Sequence, residues 1–207
     1  MTKMLPNLYL ITDRHQIQNG HQLLEVIEEL LQAGVKMIQL REKDLSAAEL
    51  YPLAKELRSL TQQHQCLLLI NDRIDLAQAI GADGVHLGNH SLPINVARQI
   101  LGSEFLIGSS THSRNEIEAA QNKGADFVTY GPIYFTPSKA AYGDPVGIES
   151  LPSICANCNI PVYALGGLKA NNTKSILQAG AHGVAMISAL LADPSPTQAY
   201  QGFAVNL

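Results

Sequence analysis

Four times along the chain a helix-like segment runs into a glycine and, within a few residues, into a short apolar run. The phrases are Ala33-Gly34-Val35, Ile80-Gly81-Ala82-Asp83-Gly84, Lys123-Gly124-Ala125-Asp126 and Ala179-Gly180-Ala181-His182-Gly183. Glycine readily takes the left-handed conformation that closes a helix, so each phrase predicts a helix C-terminus just ahead of a strand. Repetition of the phrase marks βα units. The strand candidates are Leu8–Thr12, Lys36–Leu40, Leu67–Ile70, Gly84–Leu87, Phe105–Gly108, Phe127–Tyr130, Pro161–Leu165 and Gly183–Met186. They are nearly continuous apolar runs, as expected of parallel strands buried on both faces. Helical patterns over Gln22–Ala33, Ala47–His64, Asp75–Gly81, Asn95–Leu101, Asn115–Lys123, Gly147–Ala156 and Ala170–Ala179 fill the intervals. A weak last segment near Thr197–Phe203 is interrupted by Pro194 and Pro196, and the apolar flank it leaves is the expected place for a homo-oligomeric contact.

Eight strand–helix pairs predict a closed (β/α)8 TIM barrel, which typically uses ~250 residues and tolerates ~200. The whole chain, 1–207, is read as that one domain. An open doubly wound sheet would carry a Gly-rich nucleotide loop after its first strand, and Thr12-Asp13-Arg14-His15 is not one. A hydrophobic fraction of 46% with 15% charged residues suffices for a sizeable core. Fourteen Lys and Arg against 18 Asp and Glu, with no basic run, argue against a nucleic-acid binder. No apolar stretch approaches the ~20 residues of a membrane span, and Met1–Pro6 carries no export pattern. Three cysteines do not make a disulfide framework, so a cytoplasmic protein is expected.

In such a barrel the chemistry collects where strands end and the following loops begin. Gln39-Leu40-Arg41-Glu42-Lys43-Asp44 follows the second strand, Asn71-Asp72-Arg73 the third, and His86-Leu87-Gly88-Asn89-His90-Ser91 the fourth. Ser109-Ser110-Thr111-His112 follows the fifth and Gly131 to Lys139 the sixth, then Gly166-Gly167 and Ile187-Ser188 the seventh and eighth. Arg41, Lys43, Arg73 and Lys139 make a local cationic pocket in an acidic protein, suited to phosphate or diphosphate. Gly166-Gly167 with Ser188 suggests a phosphate cradle. Asp72 is the leading ligand for Mg2+, with capping of the next helix or pairing to Arg73 as its ordinary roles. A three-histidine metal site from His86, His90 and His112 is disfavoured by spacing, and Cys155-Ala156-Asn157-Cys158 lacks the second pair of a zinc site.

These phrases, with Gly131-Pro132-Ile133-Tyr134, Thr136-Pro137-Ser138-Lys139 and Ala164-Leu165-Gly166-Gly167, resemble thiamine-phosphate synthase and its TenI-type relatives from about Leu8 to Leu191. The resemblance implies a Mg2+-dependent transferase that joins a hydroxymethylpyrimidine diphosphate to a thiazole phosphate. Arg41, Lys43 and Lys139 would be its catalytic cations. Gln39, Arg41, Lys43 and Asn71 would bind the pyrimidine diphosphate, with Ser110 and Lys139 near it. Thr136, Ser138, Gly167, Ile187 and Ser188 would take the thiazole phosphate. Asp72 would ligate Mg2+. Ser91 stands where the synthase pattern has a second carboxylate ligand, which should weaken the ion's hold. That departure keeps two alternatives open, a TenI-like thiazole tautomerase and a non-catalytic regulator binding thiamine phosphates. Pro132 stands where the tautomerase pattern has a catalytic histidine. The long stretch Phe135–Gly143 is expected to be a lid.

Overall fold

Strands β1 (Leu8–Ile11), β2 (Met37–Leu40), β3 (Leu67–Asn71), β4 (Gly84–Leu87), β5 (Leu106–Thr111), β6 (Phe127–Tyr130), β7 (Val162–Leu165) and β8 (Gly183–Met186) pair in sequence order. All eight pairings are parallel and β8 returns to β1, closing the barrel. The computed structural model describes residues 4–18, 20–136 and 144–207. Helices α1 (Leu23–Ala33), α2 (Ala47–Gln63), α3 (Ile74–Ala79), α4 (Ile94–Leu101), α5 (Arg114–Asn122), α6 (Leu151–Ala156) and α7 (Ala170–Gln178) alternate with the strands, followed by α8 (Ser188–Leu191) and α9 (Pro196–Ala204). Among the described residues no helix is long and apolar enough to cross a membrane.

The glycines act as expected. Gly34, Gly81, Gly124 and Gly180 all have positive φ. At Gly34 the lack of a side chain also leaves room for the Tyr200 ring, because an added Cβ would lie 3.0 Å from the Tyr200 hydroxyl.

Period-two alternation sorts the strand side chains into two apolar groups. Leu8, Leu10, Ile38, Leu40, Leu68, Ile70 and their counterparts pack outward against the helices. Tyr9, Ile11, Met37, Leu69, Leu106, Phe127, Tyr163 and Ala185 fill the interior. That interior is aromatic. Tyr9 and Tyr163 each meet Phe127 with ring centroids 5.5 Å apart and edge-on.

Three expectations need correction. Ser109, Ser110 and Thr111 belong to β5 rather than to a loop after it, because they pair with β4 and β6. The expected helix from Gly147 is a 3-10 turn (Ile148–Ser150) leading into α6, whose second residue is Pro152. Proline has no N–H to donate and fits only a first helical turn, so the α-helix cannot start much earlier. Pro196 opens α9 rather than interrupting it, and α9 packs against α1, α7 and α8 with Phe203 buried. The last helix therefore covers the flank that the sequence reading left open.

Candidate active site

The same alternation carries the candidate side chains onto the inner face at the C-terminal ends of the strands. Gln39 lies two residues beyond interior Met37, Asn71 two beyond Leu69, Ser110 four beyond Leu106, and Ile187 two beyond Ala185. Register brings them into one ring: Ile11 stands opposite Gln39, Asn71 opposite His86, and Ser110 opposite Thr129.

The β2–α2 loop is fixed by its middle charge. Glu42 is only 4% exposed. Its carboxylate accepts from the Thr12 hydroxyl at 2.6 Å and from the Arg14 backbone N–H and guanidinium, both at 3.1 Å. Thr12 Oγ1 in turn accepts from the Arg41 N–H at 2.8 Å. Arg14 also donates to both carboxylate oxygens of Asp44, and His15 Nε2 lies 3.1 Å from Asp44. The Arg14 contact holds the Asp44 carboxyl far below the usual carboxylate range, His15 adding to it. Glu42 is thus drawn inward while Arg41 stays half-buried and Lys43 exposed on either side of it. The Arg41 guanidinium has no carboxylate partner among the described residues.

Beside this loop, Asp72 adopts φ 66°, the left-handed region that non-glycine residues enter at a cost of about 1–2 kcal/mol. Its amide donates to the His86 carbonyl at 2.9 Å, tying the turn to β4. Neither ordinary role foreseen for its side chain is realised. No side chain caps α3, and Arg73 forms a bidentate pair with Asp75, at 2.8 and 2.6 Å. Arg73 is therefore neutralised locally, which corrects the expectation that it belongs to the cationic pocket. The Asp72 carboxylate is exposed and makes no side-chain hydrogen bond among the described residues.

Ser91 closes the turn after β4. Its Oγ accepts from the Gly88 N–H at 2.7 Å, and its own N–H donates to the Gly88 carbonyl at 3.1 Å. Among the described residues no three His, Cys, Asp or Glu side chains are grouped so as to hold a metal together. One open carboxylate at Asp72 nonetheless fits Mg2+ whose other ligands are phosphate oxygens and water.

On the opposite side, loop six is stitched to loop seven. The Ile133 N–H donates to the Leu165 carbonyl at 2.9 Å, and Tyr134 N–H donates to the Gly166 carbonyl at 3.1 Å. Gly166 and Gly167 have φ 100° and 67°, and a Cβ on Gly167 would strike Tyr134 Cβ at 2.6 Å. Thr136 sits beside Gly166, 3.4 Å from where its Cβ would be. Ile187 precedes α8, and exposed Ser188 is its first residue. Ser138, Lys139 and the 137–143 part of the expected lid lie outside the described residues.

Sequence reading missed a buried polar chain under the mouth. Gln39 Nε2 donates to the Tyr9 hydroxyl at 2.9 Å, that hydroxyl lies 3.3 Å from His86 Nδ1, and His86 Nε2 lies 3.0 Å from Ser110 Oγ. Burial, with the Arg41 charge adding to it, pushes the His86 imidazole down to about 3. Burial also raises the Tyr9 phenol well above its ordinary value, so both are neutral near pH 7. The cysteines play no part here: burial pushes the Cys155 thiol up to about 11, the reverse of a reactive thiol.

The family model described as "Thiamine monophosphate synthase" matches residues 8–190. A Geobacter sulfurreducens protein named "Putative thiamine-phosphate synthase" is 55% identical over 198 residues, 96% of this chain and 92% of that protein. The "Thiamine-phosphate synthase" of Clostridium novyi is 43% identical over 184 residues, 89% of this chain and 90% of its own. Among solved structures, "Thiamine phosphate pyrophosphorylase from Pyrococcus furiosus" superposes with a TM-score of 0.87 at 35% identity, covering 97% of this chain and 94% of that one.

Proposed function

The chain belongs to the thiamine monophosphate synthase family, and from that premise we propose that it couples a hydroxymethylpyrimidine diphosphate to a thiazole phosphate. The products are thiamine phosphate and inorganic diphosphate. The carbon–oxygen bond between the pyrimidine methylene and the diphosphate breaks, and its electron pair leaves with the diphosphate. The methylene is left as a carbocation stabilised by the aminopyrimidine ring, and the lone pair of the thiazole nitrogen forms the new carbon–nitrogen bond.

The observation that carries this reading is Arg41, whose backbone is held in a loop locked by Glu42 and Thr12 and whose guanidinium has no carboxylate partner among the described residues. A fixed cation aimed at developing negative charge lowers the barrier because it need not reorganise as the charge appears. Lys43 stands on the same loop, and Lys139 is proposed to join them. Gln39, Asn71 and Ser110 line the inner face where the pyrimidine would sit. Gly167, Ile187, Ser188, Thr136 and Ser138 are proposed for the thiazole phosphate, whose anchoring orients the attacking nitrogen. Asp72 is proposed to hold Mg2+ against the diphosphate, with Ser91 a weak neighbour at best because one lone pair already serves Gly88. When bound, the ion supplies further neutralisation of the departing charge.

The whole chain is proposed to act as one catalytic unit. The test is diphosphate release by the purified protein with each precursor alone and with both, with and without Mg2+. Release that requires both precursors and the ion is the expected result. Turnover of a thiazole carboxylate phosphate with no diphosphate formed would establish the tautomerase instead, and binding of thiamine phosphates without turnover would establish a regulator.

A further inference from the structure

The four side chains of the buried polar chain come from β2, β1, β4 and β5, so barrel closure and no local motif assembles them. Tyr9, Gln39 and His86 are 0%, 1% and 3% exposed, while Ser110 is half-buried at the edge of the mouth. Water therefore does not decide which way their protons point. The groups decide it among themselves, and proton counting follows from one end.

Gln39 gives an N–H to the Tyr9 oxygen, which leaves the single Tyr9 proton free for His86 Nδ1. With Nδ1 as an acceptor, a neutral imidazole carries its proton on Nε2, which then donates to Ser110 Oγ. Ser110 has its own proton left over. At the far end the Gln39 amide oxygen has no hydrogen-bond partner among the described residues. The chain thus ends in an acceptor at Gln39 and a donor at Ser110. With Gln39 so oriented, rotation of either end alone would set two protons, or two lone pairs, against each other in a dry interior, and only reversal of the whole chain, with the proton on Nδ1, would invert both ends. Gly108 belongs to the same arrangement: a Cβ there would lie 2.7 Å from His86 Nδ1, so only glycine leaves the ring its place.

We propose that His86 and Tyr9 are positioning residues that fix the hydrogen-bond polarity of the pocket, so that it reads a ring edge carrying an amino group beside an unprotonated ring nitrogen. An exocyclic amine would donate to Gln39, and the ring nitrogen would accept from Ser110. A 4-oxo ring presents an acceptor and an N–H in the swapped order and meets both ends with the wrong sign. This inference rests on the coupling function proposed above and adds the device that selects the aminopyrimidine.

Two measurements test it. In protein labelled with 15N-histidine, the buried imidazole is expected as the Nε2–H tautomer; an Nδ1–H tautomer or an imidazolium overturns the assignment. Affinity is then compared for a bare 4-aminopyrimidine and its 4-oxo analogue. The unmodified protein should prefer the amino ring by at least about tenfold. Tyr9→Phe, which removes one oxygen and no packing volume, should lose most of that preference and raise KM for the pyrimidine diphosphate while leaving KM for the thiazole phosphate unchanged. His86→Gln keeps a donor toward Ser110 and should retain more of the preference than His86→Leu. Equal affinity for the two rings, or a folded Tyr9→Phe protein with unaltered preference, overturns the proposal. A role in packing alone would move thermal stability and leave ring preference where it was. Absence of diphosphate release from the unmodified protein would overturn the coupling function alone, and the imidazole signal would still decide the polarity.

Discussion

At the N-terminal rim of the barrel Arg58 donates to Asp83 at 2.6 Å, and Arg98 donates to Asp126 at the same distance. Each carboxylate also accepts a backbone N–H from a neighbouring strand, Leu68 at 2.9 Å for Asp83 and Ile107 at 2.7 Å for Asp126. Both aspartates belong to the repeated glycine phrase, one residue ahead of their strand. At the C-terminal rim the charges are arranged differently. Glu42 there fixes the backbone, while the guanidinium of Arg41 has no carboxylate partner among the described residues. One rim pairs these charges within the chain, although Arg58 Nε is buried without a hydrogen-bond partner, and the other keeps the Arg41 charge available for a ligand. A satisfied pair contributes to folding and nothing to catalysis. An unsatisfied cation costs the apo protein something in repulsion, which a phosphorylated substrate relieves.

The largest effect should come from breaking the mouth side of this contrast. Arg41→Ala is expected to slow diphosphate release roughly a hundredfold to a thousandfold, with the melting temperature unchanged. A rate within tenfold of the unmodified enzyme would mean that the open guanidinium is not part of the chemistry. Breaking the floor side should do the converse. Asp83→Ala leaves Arg58, 16% exposed, without its partner and the Leu68 amide without an acceptor. It should cost about 3 kcal/mol in denaturant unfolding while the folded fraction turns over normally. A change in KM would show that the two rims are coupled through the strands.

Glu42 lies between these cases, since it sits at the mouth but behaves as a floor carboxylate does. Glu42→Gln keeps the shape but turns an N–H2 toward a Thr12 hydroxyl or an Arg14 N–H that needs an acceptor. A rise of roughly tenfold in KM for the diphosphate substrate, about 1.4 kcal/mol, is expected, with kcat changing less. Loss of stability with unchanged KM would place Glu42 wholly with the floor.

The two rims also differ in how much the sequence discloses. Floor features are local: ahead of β4 and β6 a glycine with positive φ, an aspartate and the strand follow one another within five residues, and both ends of β4, β6 and β8 can be read directly. At the mouth, the candidates Gln39, Arg41, Asn71, Asp72, Ser110 and Gly167 are suggested by their position at strand ends. What holds them is not. Tyr9 and His86 are 77 residues apart in the chain and Thr12 and Glu42 are 30 apart, so no window of sequence contains either pair. Glu42 reads as one more charge in a run of charges until closure of the barrel buries it. His86, weighed from its spacing as a metal ligand, has both ring nitrogens occupied by side-chain oxygens. β5 runs further than its composition suggests, because Ser109-Ser110-Thr111 has loop composition and only its two neighbours make it a strand.

The smallest effect tests how far the mouth tolerates added negative charge. Ser91 Oγ accepts from the Gly88 N–H, a bond that an aspartate carboxylate can make with one oxygen while presenting the other to an ion. Ser91→Asp should therefore preserve the turn and fold with little change in stability. If Ser91 faces the same space as Asp72, a second carboxylate should lower the Mg2+ concentration for half-maximal diphosphate release by roughly tenfold, about 1.4 kcal/mol. The gain should be confined to the ion, because the added charge lies beside a diphosphate it repels when Mg2+ is scarce. Titration of activity against Mg2+ at fixed substrate, repeated with the Ser91→Ala protein, separates these effects. Ser91→Ala should lose the Gly88 cap but shift the half-maximal concentration little. An unchanged Mg2+ dependence in Ser91→Asp would put residue 91 outside the ion's reach and leave Asp72 as the carboxylate proposed to hold it.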